Sequence, residues 1–198
     1  MGKEYNEIFK MPGAYHSSFN SLEGVSELAG FPILPLKTRG TAAGQLTRGP
    51  APLVEASSEG GEEDLVDEAI KLFRPNVMFR NFEINGGGDR VLVYLLLFTH
   101  QCLKKIEKKP VKAEAVKELM QLAQGAHFIP GDSGWPLGSI IAAPKTQSEA
   151  DQLRLYFKQL REALVPRLLE KVFGNSGDAI NKHWLMFAKR KFMGKEFV

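Results

Sequence analysis

The sequence predicts an all-α single domain, one central helix surrounded by the others, with an extended N-terminal segment in front. Three observations predict it. Apolar residues recur at intervals of three or four through most of 62–198, the spacing of one helix face. The run Val91 to Phe98 is apolar on every face, and such a helix must be enclosed on all sides. Residues 1–61 are instead crowded with Gly, Pro, Ser and Thr, which argues against regular structure there. The expected organisation is a 1–10 N-terminal extension, a mostly irregular 11–61 segment, and a 62–198 helical core ending in a basic C-terminal helix.

Within 11–61, the Gly40 to Pro52 stretch is the least suited to regular structure, and most of the segment reads as irregular chain draped over something else. Helix then begins at Glu62-Glu63-Asp64, acids that suit a positive N-terminal dipole end, and continues with Leu65, Val66, Ala69, Ile70 and Phe73 until Pro75 halts the pattern. Asn76 to Ile84 is rich in β-branched and aromatic residues between Pro75 and Gly86-Gly87-Gly88, so it reads as extended. The glycines read as a flexible joint into the central helix, about Asp89 to Lys108, with Asp89 as its cap. The later half of that helix is one-sided, Cys102, Leu103 and Ile106 against Lys104, Lys105, Glu107 and Lys108, so it emerges from the core towards solvent.

Pro110 suits the first turn of the next helix, which carries a single stripe of Val116, Leu119, Met120 and Ala123 and stops at Gly125. His127 to Pro144 reads as an ordered loop, because Phe128, Ile129, Trp135, Leu137, Ile140 and Ile141 are too apolar to stay in water. Thr146 with Glu149 three residues on is a capping-box signature. It opens the longest helix, with Leu153, Phe157, Leu160, Leu164, Leu168 and Val172 on one face, Lys171 in the last turn and Gly174 at the stop. Pro166 inside it predicts a kink. Asn181 to Met193 sets Trp184, Phe187 and Lys191 on one side of a final helix.

A chain of 198 residues, 43% hydrophobic and 25% charged, can bury a sizeable core without staples. Its one cysteine, Cys102, excludes an internal disulfide and lies in an apolar helical pattern, which favours a reducing compartment and an inert thiol. The longest apolar run is eight residues, far short of the about 20 that a membrane-spanning helix needs. Met1 to Lys10 carries charge of both signs and lacks the apolar core of a secretory signal, so the expected location is inside the cell. The net charge of +3 is concentrated at the end of the chain: Lys182, Lys189, Arg190, Lys191 and Lys195 face Glu196 alone between Ile180 and Val198. That end seeks an acidic partner.

Gly131-Asp132-Ser133-Gly134-Trp135-Pro136 is one residue away from the segment around a trypsin-like nucleophile, but Ser133 needs a general base and an oxyanion site on an all-β, disulfide-bonded scaffold. Two small polar residues between glycines read as a turn. Gly86-Gly87-Gly88 places Asp89 where a phosphate would lie, and no Gly-Lys-Ser/Thr follows. His16, His100, His127 and His183 have no metal-ligand spacing, so no catalytic residue, cofactor or metal is assigned. The interaction-like segments are the ends, Pro12 to Phe19 and Lys182 to Met193, both mixing aromatics with polar or basic groups. Tyr15, His16, Lys189, Arg190 and Lys191 are the candidate protein-interface residues. The alternative reading of the basic end is a nucleic-acid- or lipid-surface-binding helical module.

Ordered blocks across Met11 to Phe192 resemble a known family. They include Ala14-Tyr15-His16-Ser17-Ser18, Pro32-Ile33-Leu34-Pro35-Leu36-Lys37, Gly49-Pro50-Ala51-Pro52, Asp64 to Ile70, Asn76 to Ile84 and Asp89-Arg90. Cys102-Leu103-Lys104-Lys105, Ile129-Pro130-Gly131, Trp135-Pro136-Leu137, Tyr156, Gln159-Leu160-Arg161-Glu162 and Lys189-Arg190-Lys191-Phe192-Met193 complete them. The chain resembles subunit 3 of the actin-related protein 2/3 complex, the nucleator of branched actin filaments. That resemblance implies a helical fold around one enclosed helix and a non-catalytic, structural role. It implies partners among the other subunits of a seven-subunit assembly, mainly actin-related protein 3, together with filament actin. It places the protein in the cytoplasm on the actin cytoskeleton, with no nucleic acid partner and no membrane span. The chain departs from the family's pattern in Met1 to Lys10, in a longer Thr38 to Arg48 loop, in the glycine-rich Gly86 to Gly88, and in having His183 and Trp135 where the family has Trp and Phe.

Overall fold

Asp64 starts the helical part of the molecule: its carboxylate accepts the N–H groups of Val66 and Asp67, while the Asp67 carboxylate takes the N–H of Asp64, closing a capping box. The computed structural model describes residues 13–38, 46–55, 63–108, 110–174 and 179–197. The expected 1–10 extension, residues 39–45 of the Thr38 to Arg48 loop and the 175–178 link fall outside these residues. Helix α1 (Leu65–Asn76) passes through Pro75 and does not halt there. A proline so near the end forfeits one backbone bond, to the carbonyl of Lys71, an exposed residue whose oxygen water can reach.

Residues 77–85 then carry neither helix nor strand. Helix α2 (Gly87–Lys108) begins two residues earlier than the sequence suggests, and Asp89 lies in its first turn, not at its cap. Val91 to Phe98 are all buried, and Cys102, Leu103 and Ile106 keep the later half against the core while Lys105, Glu107 and Lys108 are exposed. α2 touches α1, the three later helices and the Phe31–Pro32 strand, so its apolar faces are covered from several directions. Burial pushes the Cys102 thiol up to about 12, which keeps it protonated and inert.

Helix α3 (Lys112–Gln124) starts after Pro110 and stops at Gly125. Its buried stripe is Ala115, Leu119 and Ala123, with Met120 half-buried, whereas Val116 is exposed. The buried position falls to Ala115, one residue before Val116, and α3 packs mainly against the long helix that follows it. The 126–145 loop is ordered by Ile129, Trp135, Leu137 and Ile141, all buried; Ile140 is exposed.

Helix α4 (Gln147–Phe173), 27 residues, begins with the Glu149 N–H on the Thr146 hydroxyl and ends at Gly174, φ +66°. Its six expected core residues are fully buried, and it runs through Pro166 as one element. The expected final helix is instead broken. Helix α5 (Lys182–Leu185) is followed by 3-10 turns at Met186–Lys189 and Phe192–Gly194, because Arg190 and Lys191 between them are extended, φ −100° and −101°; Met193 then takes φ +54° and gives its N–H to the Phe79 carbonyl at 3.2 Å.

Two strand pairs add to this mostly helical architecture. β1 (Glu27–Leu28) pairs antiparallel with β2 (Phe31–Pro32) across Ala29 and Gly30, both at positive φ, the hairpin geometry that matches strand twist. β3 (Leu36–Lys37) pairs in parallel with β4 (Leu53–Val54). The N-terminal segment is draped over this chain's own helices: Phe31, Leu34, Leu36, Leu46 and Ala51 lie in the same core as α2.

Candidate functional site

An extended segment without a full sheet must find partners elsewhere for its buried N–H and C=O groups. α4 supplies many of them. Glu149 accepts the Ala29 N–H at 2.8 Å, and the Tyr156 hydroxyl donates to the Pro32 carbonyl at 2.9 Å. Gln159 brackets Ala51, accepting its N–H at 2.9 Å and donating to its carbonyl at 3.2 Å. Glu162 accepts both the N–H and the hydroxyl of Thr47, at 2.6 and 2.9 Å. Arg167 donates to the Lys37 carbonyl at 2.6 Å and to the Asp64 carboxylate at 2.9 Å, while Asp64 accepts the Lys37 N–H at 2.9 Å. Burial alone would raise the Asp64 carboxyl, but the hydrogen bonds and charge of Arg167, with the Lys37 and Asp67 N–H groups, hold it below the usual carboxylate range.

The first end of the chain is fastened in the same way. Asn76 accepts the Tyr15 N–H at 2.9 Å and donates to its carbonyl at 2.8 Å. Fully buried Asp89 takes the Ser17 N–H and His16 Nδ1, each at 2.8 Å, and the Asn85 N–H at 2.9 Å. Glu68 takes the Ser17 hydroxyl at 2.6 Å and the Ser18 N–H at 2.8 Å. Gly86 to Gly88 are therefore no flexible joint. A Cβ on Gly88 would lie 2.8 Å from Ser17 Oγ and 2.9 Å from the Asn20 nitrogen, so glycine is what lets Ser17 to Asn20 lie on the start of α2.

The interface candidates fall into two states. The backbone of Tyr15 is held while the residue stays 46% exposed, and the His16 ring packs 4.9 Å from Phe82. Phe82 in turn meets the buried Phe192 edge-on at 5.5 Å, so His16 and the basic block approach one another around one aromatic ring. Lys189 has a side chain 80% exposed and sits 3.8 Å from Glu107; Arg190 is exposed. Lys191 is bonded to Glu196, which also holds Lys104 at 2.7 Å. Hydrogen bonds from Lys104 and Lys191 bring the Glu196 carboxyl down to about 2. The basic triplet is thus two outward cations and one internally paired. Exposed Met186 belongs to the second of these segments, exposed Met78 lies in the 77–85 stretch with Phe82, and neither was singled out from the sequence.

Asp89, Glu68 and Asn76, like the polar residues of α4, were also missed as fastening residues. The available signal was position: Gln159 and Glu162 flank core residues Leu160 and Ala163, where a charge or amide needs a buried partner. The Gly131 to Pro136 segment is a turn, with Gly131 at φ +97°, the Trp135 N–H on the Asp132 carbonyl at 3.0 Å, and Asp132 paired with Arg154 at 2.9 and 3.0 Å. Among the described residues no cluster of His, Cys, Asp and Glu could hold a metal, and no helix is long and apolar enough to cross a membrane.

The P21-Arc family model, ARP2/3 complex ARPC3 (21 kDa) subunit, matches residues 11–197. Actin-related protein 2/3 complex subunit 3 of Dictyostelium discoideum is 46% identical over 182 residues, covering 91% of this chain and 98% of the relative. The protein of the same name from Arabidopsis thaliana is 41% identical, covering 90% and 96%. That from Schizosaccharomyces pombe is 40% identical, covering 92% and 98%. Residues that fasten the N-terminal segment lie within the matched span, and the chain belongs to the family of the ARP2/3 complex ARPC3 (21 kDa) subunit.

Proposed function

We infer that this protein is a structural, non-catalytic subunit of the actin-related protein 2/3 complex and contributes to actin filament nucleation and branching through that assembly. One observation carries the reading: relatives named for that subunit align with nine-tenths of this chain and nearly all of their own length. Its partners are the other subunits of a seven-protein particle, mainly actin-related protein 3, with filament actin in reach, and it works in the cytoplasm on the actin cytoskeleton. Purified natively from its source, the protein elutes with the assembly. Elution near its own 22.0 kDa overturns the reading.

The contact residues in this reading are Tyr15, His16, Lys189, Arg190 and Lys191. What supports them is the exposed Tyr15 side chain, the outward Lys189 and Arg190, and the shared support of both ends on Phe82. Reversing Lys189, Arg190 and Lys191 to Glu is expected to weaken co-purification or branch formation. A reversed triplet that assembles and branches like the parent removes these residues from the interface while leaving the family role intact.

A further inference from the structure

Beside the second end of the chain, the C-terminal half of α2 forms one wall of a cavity of about 240 Å3. At about 30 Å3 per water, it has room for a handful of waters or one small ionic group, and it is too small for a drug-sized ligand. Lys104, Lys105 and Lys108 line it, against one carboxylate, Glu196. Glu196 is already shared by Lys104 and Lys191, whereas Lys105 and Lys108 have no ion pair among the described residues. This end of α2 carries the negative pole of its dipole, so the lysines alone make the site attractive to an anion.

One buried group, His100, lines this cavity, and a second, Arg161, reaches it through the lining residue Gln101. His100 is 1% exposed; its Nε2 meets the Ala188 carbonyl at 3.0 Å, and its Nδ1 has no hydrogen-bond partner. Arg161 is 3% exposed, with its guanidinium 4.3 Å over the Phe98 ring, and donates to Gln101 Oε1 at 3.4 Å. Its Nε and Nη1 are otherwise unpartnered. By taking the carbonyl end of Gln101, a further lining residue, Arg161 leaves the amide NH2 as the group free to donate.

We propose that this cavity binds a phosphate monoester group, held by Lys105, Lys108 and the Gln101 amide. A single carboxylate is already accommodated as Glu196, and what remains is two cations and an amide donor. A phosphate monoester carries about −1.5 to −2 charge at neutral pH and three acceptor oxygens, which matches that remainder in charge and in number of contacts. Glu196 acts as the competing anion beside it.

The test titrates the full-length chain with inositol trisphosphate by calorimetry. In parallel, it sediments the chain with phosphatidylcholine vesicles containing phosphatidylinositol bisphosphate. Lys105→Gln and Lys108→Gln each weaken binding about threefold to fivefold, the range of an exposed charge pair. Glu196→Gln strengthens it, and Lys195→Gln, which changes net charge equally outside the cavity, leaves it unchanged. Binding of the soluble probe identifies a free phosphate ester as sufficient, and binding to vesicles alone identifies a lipid headgroup; both support the site. No binding in either arm overturns it, as does a Lys195→Gln loss equal to that of Lys108→Gln, since the attraction is then to a basic protein at large.

Discussion

Tyr15 to Asn20 and Lys189 to Met193 approach each other around Phe82, yet the first is tied down by buried acceptors while the second turns cations to solvent. The contrast lies in what the core offers each segment. Asp89, Glu68 and Asn76 are buried and receive Tyr15, His16, Ser17 and Ser18. Among the described residues nothing comparable receives Lys189 or Arg190. A mixture of aromatic and polar residues therefore does not separate a segment that docks on its own fold from one that docks on a partner. Buried complementary groups elsewhere in the chain do.

The largest test of that contrast is Arg167→Ala. It strands the buried Asp64 carboxylate and the Lys37 carbonyl together, at the point where the N-terminal segment crosses between α1 and α4. Breaking a buried charge pair on one side costs about 3–5 kcal/mol. Urea unfolding should show that loss; one under about 1 kcal/mol would mean the segment is not clamped there. Gly88→Ala is the next largest. The new Cβ would lie 2.9 Å from the Asn20 nitrogen and from the Phe19 carbonyl carbon, which are backbone atoms and cannot swing aside. Overpacking of this kind costs about 1–3 kcal/mol.

Much of the helical frame was legible in the sequence because period and chemistry agreed there. The run from Val91 to Phe98 had no polar face to expose, and the structure buries every residue of it. Thr146 stood where a cap belongs, and it caps; Asp64, legible only as one of three acids at a helix start, is itself the cap. The N-terminal segment was not legible, since its order comes from side chains more than a hundred residues away, such as Gln159 on Ala51 and Glu162 on Thr47. Local composition records the lack of periodicity and says nothing of those distant acceptors. The final helix failed for a related reason. Extended backbone at Arg190 and Lys191 breaks a pattern whose apolar spacing alone looked continuous, and the Met193 N–H goes to the distant Phe79 carbonyl.

Acid should probe the same clamp more gently. The folded Asp64 carboxyl lies below its ordinary value of 3.8, so its contribution to stability is complete above that value and is lost as pH falls through the folded one. The unfolding midpoint should therefore be insensitive to this group from neutrality to about pH 4 and fall below it. In Arg167→Ala, burial acts on the carboxyl without its counter-charge and raises it. The gap between the two proteins should then narrow as the pH drops, and a gap that stays constant would show that Arg167 acts by packing and not by charge.

Lys189→Glu should have the smallest effect on the isolated chain. Its side chain is 80% exposed, and its ion pair to Glu107, at 3.8 Å, is long and solvent-screened. Reversing it should change stability by less than about 0.5 kcal/mol, the range of surface substitutions away from any buried feature. A protein that keeps its unfolding midpoint but loses co-purification locates the role of this residue outside its own fold, where the first end of the chain cannot follow. If Lys189→Glu destabilises the chain as much as Gly88→Ala, the second end is also fastened inward, and the outward-facing surface must be sought elsewhere on the molecule.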